Sequence, residues 1–209
     1  MTSLQGQFGE ESRYWLYLAK TVLAVWMIWV IRPLVSEMKW AFSWEAVVVG
    51  VGVFAVWVGL DGLYPSLNEL LARIGFELSS EPAKAWNPHV QFGEGSTLAL
   101  LFIVVRIIGP VLVVPPLEEV FYRSFLYRWI VKPDFESVPL NRFNLKAFAF
   151  TALIFGFVHD QWLAGILCAM AYQFLVIRKN RLGDAMTAHA ITNLLLGVWV
   201  IWRGAWNFW

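Results

Sequence analysis

Long apolar runs alternate along this chain with short polar interruptions, and the run lengths are those of helices crossing a membrane. A span needs about 20 predominantly apolar residues, and fewer where it is buried in a bundle. Seven runs are candidates: Tyr14 to Ile31, interrupted by Lys20; Trp44 to Leu60; Thr97 to Val114, which holds Arg106 and Pro110; Leu117 to Val131; Ala147 to His159; Trp162 to Ile177; and Ala185 to Trp202. The punctuation agrees with this division. Arg32-Pro33 closes the first run and Asp61-Gly62 ends the second with turn chemistry. Pro115-Pro116 restarts the chain in a first helical turn, where the missing N–H costs little. Between Gly62 and Ser96 the chain is polar, but Leu67, Leu70, Leu71 and Ile74 keep helical spacing, which predicts a short amphipathic helix on the membrane surface.

Composition turns these candidates into a fold class. Of 209 residues, 59% are apolar and 15% charged, where a soluble domain carries about a quarter charged residues. A soluble enzyme of this length could not hide that much apolar surface. The chain therefore reads as an all-α, polytopic transmembrane bundle of about seven spans, forming one integral membrane domain over residues 1–209. Membrane lipid is the implied partner. A net charge of +1 lacks the electrostatic footprint of a nucleic-acid binder. The single cysteine, Cys168, lies in an apolar run and reads as a packing residue, with no disulfide or cysteine metal cage available. The stretch from Met1 to Arg13 carries Glu10 and Glu11, lacks a basic leader and is followed by no small-residue cleavage site, so the first run reads as a permanent span. With seven spans, the loops on the N-terminal side hold Arg13, Arg73, Lys84, Lys132, Arg142, Lys146, Arg178, Lys179 and Arg181. The other side holds chiefly Arg32, Lys39 and Arg203, which predicts a cytoplasmic N-terminus.

In so apolar a chain, ionisable residues inside the runs carry the functional information. Three patterns stand out. In Glu118-Glu119-Val120-Phe121-Tyr122-Arg123, Glu119 and Arg123 are four apart and can pair on one helix face, while Glu118 lies about 100° round the helix and is free to point elsewhere. A carboxylate held in a partly dry cavity suits general-base chemistry near neutral pH. The plainer reading is an interfacial helix start, where the dipole favours acids. In Phe155-Gly156-Phe157-Val158-His159, one helical turn lets the Phe155 ring pack beside the imidazole. In His189-Ala190-Ile191-Thr192-Asn193, a ring nitrogen and an amide donor share a face, as they also would in a polar clamp between helices. His89, beside Pro88 in the polar connection, reads as a loop residue. Glu118, His159 and His189 could activate water directly, or hold a divalent ion such as zinc with one position open. Asn193 could donate to the oxyanion of a tetrahedral intermediate.

Together the three patterns resemble the CPBP family of intramembrane proteases: the type II CAAX prenyl endopeptidases and their bacterial relatives, also called the Abi family. Its motifs EExxxR, FxxxH and HxxxN/B are matched in order by Glu118, Glu119 and Arg123, by Phe155 and His159, and by His189 and Asn193. The match spans Pro115 to Gly197, which makes 115–197 the expected catalytic core. Tyr14-Trp15-Leu16-Tyr17 and Gly59-Leu60-Asp61 also look like the bacterial CAAX prenyl protease-related proteins that accompany exosortase systems. The resemblance implies an endopeptidase in a bacterial inner membrane, acting on a membrane-associated peptide or protein that is lipidated or carries a C-terminal signal. It implies that Glu118 activates water with help from His159, that His189 and Asn193 stabilise the oxyanion, and that Glu119 with Arg123 holds Glu118 in place. Family members are usually classed as metalloproteases, although a metal-free glutamate scheme has equal support in the residues.

Two readings from other classes compete. A catalytically silent scaffold or bacteriocin self-immunity protein would keep the same polar cluster as a lock between helices. A transporter would use Glu and His as a proton relay, but no pair of interrupted spans in matching halves supports it. The spacing also contains a tension. His159 ends one run and His189 begins a parallel one, so ideal helices would place the two rings at different depths. Arg106 is left without a role.

Overall fold

The computed structural model describes residues 9–76 and 85–209, and every described regular element is helical. The reading of Met1 to Arg13 rests mostly on residues outside this range, and Lys84 of the charge count also lies outside it. Helix α1 spans Ser12–Ile31, α2 Trp44–Gly59, α3 Leu67–Arg73 and α4 Pro88–Phe92. A continuous 35-residue helix, α5, runs Thr97–Val131, followed by α6 Leu145–Phe157, α7 Trp162–Lys179 and α8 Gly183–Arg203. Helices α1, α5, α7 and α8 are long and apolar enough to cross a membrane, and α2 and α6 are shorter apolar helices.

The all-α membrane bundle is thus as the polarity pattern requires, with one difference of count. The third and fourth apolar runs are a single helix, leaving six apolar helices among the described residues. Pro115-Pro116 does not restart the chain, because α5 passes through it by changing winding. Segments Gly109–Val113 and Val120–Leu126 are π turns on either side of the α-helical Val114–Glu119. A π turn bonds each N–H five residues back and occurs chiefly at functional sites. The missing N–H of Pro115 is accommodated in this rewinding instead of breaking the helix.

Local chemistry sets the other boundaries. Ser43, Ser96 and Asn144 cap α2, α5 and α6 by accepting from the backbone N–H of Ala46, Ala99 and Ala147. The amphipathic segment forms α3, opened by a reciprocal capping box between Ser66 and Glu69. Helix α6 ends at Phe157, so His159 falls on the turn beyond it instead of on the helix.

The bundle closes by small-residue contact, as expected where lipid removes the hydrophobic drive between helices. Gly50 of α2 lies so close to α8 that a Cβ there would meet the Ala188 carbonyl oxygen at 2.6 Å. Gly156 of α6 faces Gly165 of α7 with equally little room. Helix α1 is peripheral, with Tyr14 its only buried residue.

Alternating through the bundle, the connections gather at two ends. Asp61 to Ser66, His159 to Gln161 and Asn207-Phe208 line one vestibule. Ser36 to Ala41, Leu140 and Asn180 to Leu182 meet at the opposite end.

Candidate active site

Glu118 and Glu119 occupy the short α-helical stretch between the two π turns of α5, and they face different surroundings. Glu119 is completely buried. Its Oε2 lies 3.2 Å from Nε of Arg123, and its Oε1 accepts from Nδ1 of His189 on α8 at 2.9 Å. Arg123 is also fully buried, and its guanidinium lies over the rings of Phe155 at 4.6 Å, Tyr122 at 5.5 Å and Tyr172 at 5.7 Å. Ring faces thus take the place of water around the cation. The His189 ring stacks on Tyr172, centroids 5.2 Å apart. The Tyr172 hydroxyl donates to Thr192, which donates in turn to the Gly50 carbonyl of α2. One charge-centred lock therefore joins α2, α5, α7 and α8.

Glu118 is only half-buried and lines a cavity of 280 Å³, together with His159, His189 and Asn193. Its carboxylate takes part in no ion pair or hydrogen bond with any described residue, which leaves its lone pairs for water. His159 lies at the junction of this cavity with the vestibule, a larger space of 620 Å³ lined by Asp61, Glu69, Asp160 and Gln161. Its Nδ1 bonds to the Phe155 carbonyl at 2.8 Å, and because a carbonyl can only accept, Nδ1 carries the hydrogen. Neutral His159 consequently presents Nε2 as an acceptor. Phe155 packs against the ring at 4.7 Å in a tilted arrangement, and Trp57 meets it edge-on at 5.5 Å. The tension in depth is met by the short α6: its end and the turn back into α7 lie against Gly165, and the ring curls back to reach the cavity that His189 lines from α8.

Asn193 answers a backbone need created by the π turn. The N–H of Val114 bonds to Gly109 instead of Pro110, and Pro115, one residue on, has no N–H. The Pro110 carbonyl is left without a helical partner, and Nδ2 of Asn193 donates to it at 2.7 Å. Half of the amide's donor capacity is thus structural, and its second N–H is left for the cavity.

All six expected site residues converge in this region: Glu118, His159, His189 and Asn193 line the cavity, and Glu119 and Arg123 form the lock behind it. Glu119 holds His189, a link the motif spacing did not indicate. Among the described residues no group of three His, Cys, Asp or Glu side chains is placed to hold a metal ion. Sequence reasoning missed Tyr172, Thr192, Trp57 and Asp160. Asp160 ties α3 to the turn after His159, accepting from Leu67 N–H through its carbonyl and from Asn68 N–H through its carboxylate. The one available signal was Pro110 and Pro115, five apart beside a pair of acids.

Fold and site together define a polytopic membrane protein with a polar cavity inside its helical bundle. Residues 99–195 match the family model described as Type II CAAX prenyl endopeptidase Rce1-like. The match runs from the start of α5 into α8 and agrees with the resemblance that the three motifs carry to the CPBP proteases. No curated protein and no solved structure matches the chain significantly.

Proposed function

We propose that the chain is an intramembrane endopeptidase that hydrolyses a peptide bond of a membrane-associated peptide or protein, using water activated by Glu118. The observation that carries this reading is the contrast between two adjacent glutamates: Glu119 is fully buried, ion-paired with Arg123 and hydrogen-bonded to His189, while Glu118 opens onto a cavity shared with two histidines and an amide, without an ion pair or hydrogen bond to any described residue. Water enters from the vestibule past His159. Glu118 takes a proton from the water as its oxygen attacks the scissile carbonyl carbon, with His159 Nε2 accepting from the same water. The second N–H of Asn193 faces the oxyanion, as does Nε2 of His189 when both of its ring nitrogens carry hydrogen, Nδ1–H being held by Glu119; one such donor is worth roughly 3 kcal/mol in the transition state. Glu118 then gives its proton to the departing amine as the C–N bond breaks. No step requires a metal.

The deciding experiment compares the wild-type chain, Glu118→Gln and His159→Ala, purified in detergent, on a quenched lipidated peptide with and without chelator. Glu118→Gln should lower cleavage by about 10²–10⁴ fold while leaving thermal unfolding unchanged. Chelator should have no effect on the wild type. Retained proteolysis in Glu118→Gln would sink the mechanism, and loss of cleavage on chelation would restore the metalloprotease scheme. The scaffold reading draws on one observation, the Asn193 bond to Pro110, and it gains if every variant and the wild type are inert.

The six-helix arrangement also revises orientation. The end away from the vestibule gathers Arg32, Lys39, Lys132, Arg142, Lys146 and the Arg178, Lys179, Arg181 group, whereas the vestibule end keeps Arg13, Arg73 and Arg203. By the positive-inside rule the basic end faces the cytoplasm, and the N-terminus and vestibule face the other way. Labelling of single cysteines placed at Ser66 and Asn141 in a Cys168→Ala background distinguishes the two orientations.

A further inference from the structure

Among the described residues Arg106 is the one arginine or lysine lining the site cavity, and the hydrolytic scheme gives it nothing to do. A cation within a membrane span is costly unless paired or functional. No described carboxylate forms an ion pair with Arg106; its guanidinium lies 4.5 Å from the Tyr17 ring and 5.1 Å from the Trp86 ring, and its electrostatic neighbour is the Tyr17 hydroxyl. The Tyr17 hydroxyl takes a hydrogen bond from the guanidinium, while the aromatic faces support the cation without using its remaining N–H groups. Tyr17 is itself seated against Gly109, where a Cβ would meet its hydroxyl at 3.0 Å, so this support is fixed between α1 and α5.

The winding of α5 connects Arg106 to the chemistry. Arg106, Pro110, Val114 and Glu118 all line the cavity at intervals of four. In an ideal α-helix, a residue twelve positions on would be turned about 120° away. The π turn at Gly109–Val113 takes more residues per turn and brings Arg106 and Glu118 back onto one face. They are separated by about 18 Å of helix axis, the length of about five residues of extended peptide.

We propose that Arg106 is a carboxylate-binding subsite: the cavity takes a peptide whose carboxylate, either a chain-terminal one or an acidic side chain, lies about five residues beyond the scissile bond. The guanidinium fork binds the carboxylate in two parallel hydrogen bonds and so sets which bond reaches Glu118. This rests on the peptidase reading for its substrate class, but the test separates the two.

Affinities are measured on the purified Glu118→Gln chain, which holds peptides uncleaved. The probes are apolar peptides made with a C-terminal carboxylate, with a C-terminal amide, and with an amide following a final glutamate. The acid should bind at least tenfold tighter than the amide. Adding Arg106→Met should bring the ratio to near one, and Arg106→Lys should keep part of it. Recovery of affinity by the glutamate peptide assigns the subsite to any carboxylate; failure to recover assigns it to a chain-terminal one. Equal binding of acid and amide, an advantage that survives Arg106→Met, or no binding of any probe would overturn the subsite. Loss of cleavage in Glu118→Gln is read separately on the wild-type substrate assay, so either conclusion can fail without the other.

Discussion

The two walls of the cavity differ in how much freedom their polar groups keep. Behind the cavity, Glu119, Arg123, His189 and Tyr172 are buried, and each is committed to a neighbour on another helix or another turn. On the open wall, Glu118 has no ion pair or hydrogen bond with a described residue, His159 spends only Nδ1 on the Phe155 carbonyl, and Asn193 has spent one N–H of two. Residues of the same type, one position apart in the case of the glutamates, therefore do opposite work. Groups committed to protein neighbours fix geometry, and the others are left for substrate and water. A single-residue shift in helix phase, defined by the π turns on either side, is enough to separate the roles.

Substituting each glutamate by glutamine breaks this comparison most sharply. Glu118→Gln should abolish cleavage with little change in stability. Glu119→Gln should strand the buried Arg123 charge, and removing one partner of a buried pair typically costs about 3–5 kcal/mol. Scanning calorimetry should show a fall of about 10 °C in Tm, with Glu118→Gln unmoved. Adding Arg123→Met to Glu119→Gln should recover part of the loss, since both charges are then gone. Equal effects of the two glutamine variants on Tm would dissolve the distinction between the walls.

Next in size is the helix contact that carries the open wall. At Gly156 a Cβ would meet the Trp162 carbonyl oxygen at 2.8 Å as well as the Ile166 side chain. Gly156→Ala must push α6 from α7, which typically costs about 1–3 kcal/mol, and it displaces the turn holding His159. Cleavage should fall further than stability alone accounts for, read as kcat against Tm. Asn193→Ala should follow, leaving the Pro110 carbonyl unsatisfied at about 1–3 kcal/mol and lowering kcat while sparing KM.

The membrane fold and the set of polar side chains that meet at the cavity were legible because both are written in short-range pattern. Apolar run length gives the helices, and a spacing of four places Glu119 on Arg123 and Phe155 on His159 within single turns. What could not be read is carried by winding and by contacts distant in sequence. Pro115-Pro116 looks like a helix start by local rules, yet α5 continues through it because two π turns and the Asn193 side chain absorb the missing bonds. That continuity merges two of the expected runs into one helix. The His189 bond to Glu119 joins residues seventy apart, and the tyrosine beneath it lies on a third helix without any motif.

The rim of the vestibule offers the mildest perturbation. Asp160 holds α3 by two bonds, one from its backbone carbonyl and one from its carboxylate, and α3 retains its own capping box. Asp160→Ala removes only the side-chain bond, so the expected cost is about 1 kcal/mol and confined to α3. Hydrogen exchange should quicken at Leu70 and Leu71, while the amides of α7 and α8 keep their protection. His159 is one residue away, but its ring is held by Phe155 and Trp57 and not by Asp160, so kcat should change by no more than two- to threefold. A loss as large as that from Asn193→Ala would mean that α3 positions His159, and the working surface would then include the vestibule as well as the cavity wall.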